Sequence, residues 1–107
     1  MKIKLVGKSA CPGYVRGSAF VIDKNAPHFE EMTVGQILVL KYSSPEYFDF
    51  YLKASAIVTQ LGGVTCHAAS LARDLNIPCV VAVQNLVKNI KTGDEIIVNA
   101  SEGEIYV

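Results

Sequence analysis

The sequence predicts one mixed α/β domain with more strand than helix. Three observations carry that expectation. The apolar runs are short: Ile37-Leu38-Val39-Leu40 and Cys79-Val80-Val81-Ala82-Val83 are strand-sized, and a strand buried on both faces reads as such a run. Two stretches carry helix start or stop signals. The chain closes on two apolar segments, Glu95-Ile96-Ile97-Val98 and Ile105-Tyr106-Val107, with turn residues between them, which is the pattern of a hairpin.

The elements follow in order. Ser9-Ala10-Cys11-Pro12-Gly13 carries turn residues. Over residues 14–22, Tyr14, Arg16, Ser18 and Phe20 alternate with Val15, Gly17, Ala19 and Val21, a period of two that predicts a strand. Residues 25–33, with Pro27, Glu30 and Glu31, read as a loop, and His28 within it as solvated. Residues 36–42 form a second strand. Ser43-Ser44-Pro45-Glu46 starts a helix: a serine caps, proline suits the first helical position, and glutamate favours the positive end of the dipole. That helix is expected to run to about Lys53. Ala56-Ile57-Val58-Thr59 is a short strand that Gly62-Gly63 ends. A second helix is expected from about Cys66 to Leu75, with Asn76 in a left-handed conformation and Pro78 preventing continuation. Residues 79–83 are a buried strand. Lys91-Thr92-Gly93-Asp94 and Ser101-Glu102-Gly103-Glu104 are turns into the two closing strands.

At 107 residues the chain reads as a single domain, residues 1–107. Ten basic side chains balance ten acidic ones, so no net field recruits nucleic acid or an anionic membrane. No apolar run approaches the roughly 20 residues of a membrane span, and the N-terminus lacks the apolar core of a signal peptide. A cytoplasmic location is expected. The three cysteines, Cys11, Cys66 and Cys79, are odd in number and include no Cys-x-x-Cys. With His28 and His67 they match no usual zinc spacing, so neither a disulfide framework nor a metal site is expected. Gly7-Lys8-Ser9 ends like a nucleotide-binding loop, but the Walker pattern requires glycine where Lys2 stands.

The chemistry concentrates in Gly62-Gly63-Val64-Thr65-Cys66-His67-Ala68-Ala69-Ser70-Leu71-Ala72-Arg73-Asp74. On a helix, Ala68, Leu71, Ala72 and Leu75 share one apolar stripe, and His67, Ser70 and Asp74 lie on the opposite side. His67 then sits in the first turn, facing away from the core. A first helical turn presents N–H groups without partners and a positive dipole end, which together welcome an anion. Glycines ahead of it let the backbone approach a phosphate. Thr65 is expected to cap the helix or reach the anion, and Arg73, about two turns on, has the planar fork that suits phosphate. To attack phosphorus an imidazole must be neutral, with a lone pair on one nitrogen. The positive end of the dipole disfavours the imidazolium and later stabilises the charge that a phosphoryl group brings. Cys66 and His67 do not form a nucleophile–base pair, since adjacent helical side chains diverge by about 100°; Cys66 reads as a small packed residue.

At these residues the chain resembles a known family. Residues 62–81 are similar to the active-site signature of the phosphoenolpyruvate-utilising enzymes: Thr65-Cys66-His67, Ala68-Ala69, Ala72-Arg73 and Ile77-Pro78. Ala10-Cys11-Pro12-Gly13, Gly17-Ser18-Ala19, Gly35-Gln36-Ile37-Leu38-Val39, Ser44-Pro45-Glu46, Gly93-Asp94 and Glu102-Gly103 resemble its other blocks in order. Val64, Ser70, Asn76 and Cys79 depart from it. The resemblance implies the swivelling β/β/α phosphohistidine domain, with mixed sheet layers and two to three short helices. It implies that His67 is phosphorylated and that Gly62, Gly63, Thr65, Cys66 and Arg73 support the phosphate, with no metal.

Thr-Cys-His-Ala-Ala looks closer to the phosphoenolpyruvate synthase (pyruvate, water dikinase) branch than to enzyme I of the sugar phosphotransferase system. The implied role is a phosphocarrier between an ATP-binding, ATP-grasp-like partner domain and a barrel domain that binds phosphoenolpyruvate or pyruvate. No cofactor is expected on this domain; magnesium and ATP belong to the partners. A barrel alone needs about 250 residues, so this chain is expected to be incomplete as a catalyst, either an excised domain or a separately encoded carrier. The alternatives are a stand-alone phosphohistidine carrier or regulatory binding module that serves another phosphotransfer system such as enzyme I, and a binding module that is never phosphorylated.

Overall fold

A computed structural model of the chain describes residues 3–23 and 28–107. Asn25 and Pro27 of the expected loop lie outside the described residues. Among the described residues, eight strands and three helices follow in order: β1 Lys4–Val6, β2 Lys8–Cys11, β3 Tyr14–Ile22, β4 Ile37–Leu40, α1 Phe48–Lys53, β5 Ala56–Thr59, α2 His67–Leu75, β6 Cys79–Val81, α3 Leu86–Asn89, β7 Glu95–Asn99 and β8 Glu104–Tyr106. Short 3-10 turns occupy Phe29–Glu31 and Pro45–Tyr47.

The strand order is β1-β8-β7-β3-β4-β5-β6-β2. Strand β3 joins two arms. Its residues Tyr14 to Ser18 pair antiparallel with β7, and Ala19 to Ile22 pair parallel with β4. Alternation explains the layers. From the parallel strands, Ile37, Val39, Ala56, Val58 and Val80 pack with Ile96, Val98 and Ile105 of the antiparallel arm. Their neighbours Leu38, Leu40, Ile57, Cys79 and Val81 pack with Phe50 and Tyr51 of α1 and Ala68, Ala69 and Ala72 of α2. The antiparallel arm thus covers one face of the parallel strands and the helices cover the other, which is the β/β/α layering the sequence resemblance implied. Both faces of β4 and β5 are buried, as their continuous apolar runs require.

Several boundaries differ from expectation for physical reasons. Ser9-Ala10-Cys11 is not a turn: residues 8–11 form β2, an edge strand paired with β6 through an irregular register between Ser9 and Cys11. Strand β1 also goes unseen in the sequence, because it is three residues long and, at the sheet edge, is defined by its pairing with β8. The helix expected from Ser43 begins as a 3-10 turn at Pro45, capped by the Ser44 side chain, and becomes α-helical at Phe48. Strand β6 stops at Val81 because Ala82 turns left-handed, with φ +57°. Helix α3 has only four residues, too few to show a period. Met32, placed in a loop by the sequence, is buried in the helical-side core.

The closing hairpin depends on a close approach. Gly103 has φ +69°, and a Cβ there would stand 2.7 Å from the Gly7 carbonyl oxygen; the Gly7 N–H donates to the Gly103 carbonyl at 2.9 Å. Gly103→Ala therefore forces both a strained φ and a backbone clash. It is expected to destabilise the fold by roughly 1–3 kcal/mol, read as a lower urea midpoint at unchanged slope.

Candidate functional site

The parallel strands deliver their loops to one edge. The Gln60 N–H donates to the Leu40 carbonyl and the Leu61 N–H to the Lys41 carbonyl, each at 2.9 Å, so the segments leaving β4 and β5 run side by side. Ligand sites of open α/β sheets gather at this carboxyl edge. The segment after β5 turns at Gly62, which holds φ +108°, and the Cys66 N–H closes onto the Gly63 carbonyl at 3.0 Å. Helix α2 starts at His67.

His67 is the first helical residue and is exposed, as are Gly62, Gly63, Val64 and Thr65 before it. Ser70 and Asp74 are exposed on the same helix, while Ala68, Ala69 and Ala72 face the core. The buried stripe is narrower than expected: Ala69 joins it, Leu71 is half-buried and Leu75 is 38% exposed. Small residues let the helix lie close to the sheet, and the leucines fall at the rim of that contact. Asn76 is left-handed, with φ 56°, and its N–H reaches the carbonyls of Ala72 and Arg73, as the stop signal required.

The cap differs from expectation. Cys66, not Thr65, occupies the N-cap position, and neither Cys66 nor any residue of its own helix supplies a side-chain cap. Ser43 does so from the neighbouring loop: its Oγ accepts the Ala68 N–H at 3.0 Å. The Ser70 N–H donates to the Cys66 carbonyl at 3.0 Å. Among the described residues the His67 and Ala69 N–H groups have no partner. The mouth of α2 therefore keeps two free donors beside an exposed imidazole, and a dipole that favours negative charge there.

Arg73 extends elsewhere. Its Nη1 donates to the Ala10 carbonyl at 3.2 Å, tying α2 to β2. The three thiols converge beneath the site: Cys11 and Cys79 face each other across β2 and β6, and half-buried Cys66 packs against them. Burial, then the neighbouring Cys66 and Cys11, push the Cys79 thiol up to about 12, so it stays protonated and acts as packing. No group of three or more His, Cys, Asp or Glu side chains suited to a metal occurs among the described residues, and no described helix is long and apolar enough to cross a membrane. A cavity of about 410 Å³ lies between Arg16, Asp94, Glu95 and Val107, and no residue of the His67 segment lines it.

With this geometry in view, relatives become informative. The profile of the PEP-utilising enzyme mobile domain matches residues 32–103. The chain belongs to that family. A probable phosphoenolpyruvate synthase of Staphylothermus marinus is 40% identical over 106 residues, which are 98% of this chain and 13% of that protein. The phosphoenolpyruvate synthase of Aquifex aeolicus is 48% identical over 81 residues, 76% of this chain and 9% of that protein. The chain thus spans only about an eighth of the length of the first of these relatives. Among solved structures, an Enzyme I protein matches with a TM-score of 0.65 and 28% identity over 76% of this chain and 34% of its own. The holo aconitase X of Thermococcus kodakaraensis matches with a TM-score of 0.70 and 25% identity over 97% of each chain.

Sequence reasoning placed His67 in the first turn of its helix but missed the part that Ser43 plays there. Ser43-Ser44 signals a helix start, and it does cap one helix through Ser44. That Ser43 caps a second helix, 25 residues away, is a tertiary fact with no local signature. Ser43→Ala removes the hydroxyl from the mouth of α2 and is expected to cost about 1 kcal/mol, as loss of a cap does, measured by urea denaturation.

Proposed function

We propose that His67 is the phosphorylated residue of a phosphocarrier domain, moving a phosphoryl group between an ATP-binding partner domain, or phosphoenolpyruvate, and pyruvate in phosphoenolpyruvate synthase-like chemistry. The observation that carries this reading is the exposed imidazole of His67 at the open mouth of α2, beside the unpartnered N–H groups of His67 and Ala69. Membership of the mobile-domain family and the similarity to phosphoenolpyruvate synthases support it.

In this reading the neutral ring of His67 attacks phosphorus. An N–P bond forms, the bond from phosphorus to the leaving oxygen breaks, and the leaving group departs with the electron pair. The backbone from Gly62 to Thr65 and the amides of His67 and Ala69 face the phosphoryl oxygens, which gain stabilisation without reorganisation. Cys66 contributes through its backbone and its packing. Arg73 contributes by holding α2 against β2 through the Ala10 carbonyl, or by turning its fork to the phosphate when one is present. Magnesium, ATP and the phosphoenolpyruvate or pyruvate site belong to partner domains, and the domain by itself is an incomplete catalyst. A carrier serving an enzyme I-type system is the second reading, supported by the structural likeness to Enzyme I.

The test is to incubate the chain with phosphoenolpyruvate and either a phosphoenolpyruvate synthase or an enzyme I lacking its own carrier histidine. Acid-labile phosphate is then followed by mass spectrometry. Label at His67 from the synthase partner, lost in His67→Ala, is the expected result; label only from the enzyme I partner favours the second reading. Label that survives His67→Ala contradicts both. Asp74→Asn is expected to change the labelling rate less than about twofold, because Asp74 lies two turns along α2, outside the reach of a group at its mouth.

A further inference from the structure

The ring of Tyr51 lies beside that of the candidate histidine without belonging to its segment. Tyr51 lies on α1 and is fully buried, at 0% exposure. Its ring centroid stands 5.9 Å from that of His67, with the planes inclined at 52°, within the range of a tilted aromatic pair. Its hydroxyl is committed elsewhere: it accepts the Ser44 N–H at 3.2 Å and donates to the Ser44 carbonyl at 3.1 Å. Burial, opposed by the contacts with Ser44 and Ser43, raises the Tyr51 phenol, so it stays neutral. Tyr51 therefore has no proton or charge to offer His67. What it offers is a ring face, fixed at its far end to the backbone of the β4–α1 loop.

The same loop also grips the helix. Ser43 holds the Ala68 N–H, one residue past the histidine. The backbone at His67 and the ring of His67 are thus referenced to one short segment, residues 43–51. An imidazole on an exposed first turn would otherwise sample several rotamers and present either nitrogen to an incoming phosphorus.

We propose that Tyr51 is a positioning residue whose ring restrains the His67 imidazole so that a single ring nitrogen receives the phosphoryl group. The proposal rests on the carrier reading for its biological meaning, but its geometry is testable without any partner enzyme. Phosphoramidate is the probe. It phosphorylates imidazoles directly: its P–N bond breaks, an N–P bond to the ring forms, and the displaced ring proton leaves with the amine as ammonia. His28, exposed on the surface and paired with no aromatic ring among the described residues, reports within the same sample the isomer ratio of a histidine without a ring beside it.

Phosphorus-31 and nitrogen-15 spectra distinguish the two phosphohistidine isomers at each residue. At His67 of the wild type one isomer is expected in roughly five- to tenfold excess over the ratio at His28, the factor by which an unfavourable rotamer is suppressed. Tyr51→Phe keeps the ring, loses the Ser44 contacts and is expected to retain most of the excess. Tyr51→Leu is expected to bring His67 to the His28 ratio. An equal ratio at both histidines of the wild type, an undiminished excess in Tyr51→Leu, or an equal loss in the Phe and Leu variants would each overturn the proposal. Should the Leu variant not fold, nuclear Overhauser contacts between the ring protons of residues 51 and 67 in the unmodified wild type decide it: present, they support the proposal; absent, they overturn it. Selective phosphorylation by phosphoramidate together with no label from phosphoenolpyruvate and partners removes the carrier reading and leaves the positioning role standing.

Discussion

The amides at the mouth of α2 constrain the rest of the site. A helix begins with N–H groups that its own turns cannot satisfy, and a protein must cap them, hydrate them or give them to a ligand. Here the Ala68 N–H goes to Ser43, while those of His67 and Ala69 stay open. That division needs three segments in register: the loop after β4 to bring Ser43, the glycine turn after β5 to leave the mouth clear, and the small face of α2 to seat the helix against the sheet. The parallel pairing of β4 with β5 aligns the first two. Ala68, Ala69 and Ala72 provide the third. The exposed histidine is what this arrangement displays.

Layering explains how a domain of this size can present an exposed side chain from a helix seated on a fully buried sheet. The parallel strands are buried on both faces, and the antiparallel arm and the helices each bury one of them. The shape alone does not name the chemistry, because aconitase X shares the fold over nearly its whole length, and a fold hosts unrelated functions. The family match over residues 32–103 distinguishes this chain, and the phosphocarrier reading we propose rests on the residues at the mouth of α2.

Much of this was legible in the sequence. Strand β3 and β5 begin and end where alternation and turn residues place them, and α2 ends at the left-handed Asn76 its composition anticipates. His67 could be placed in a first turn because Gly62-Gly63 and the apolar spacing of the following residues converge on it. Other features were hidden for identifiable reasons. Strands β1 and β2 are short edge elements defined by their partners. Ala82, whose left-handed backbone ends β6, has no propensity for that conformation and adopts it under tertiary demand. The replacement of Thr65 by Ser43 as the source of the cap, the contact of Tyr51 with His67, and the turn of Arg73 toward Ala10 all join segments distant in sequence, and no local pattern encodes them.

Contact between the free amides at the start of α2 and a phosphate on His67 can be observed atom by atom. Scalar couplings across N–H···O–P hydrogen bonds, together with amide proton shifts, would be recorded on nitrogen-15-labelled protein carrying phosphate at His67. Downfield shifts and phosphorus couplings are expected at the His67 and Ala69 amides, with Ala68 unmoved on Ser43. Phosphorylated protein in which the His67 and Ala69 amides keep their unmodified shifts and show no coupling would contradict that expectation.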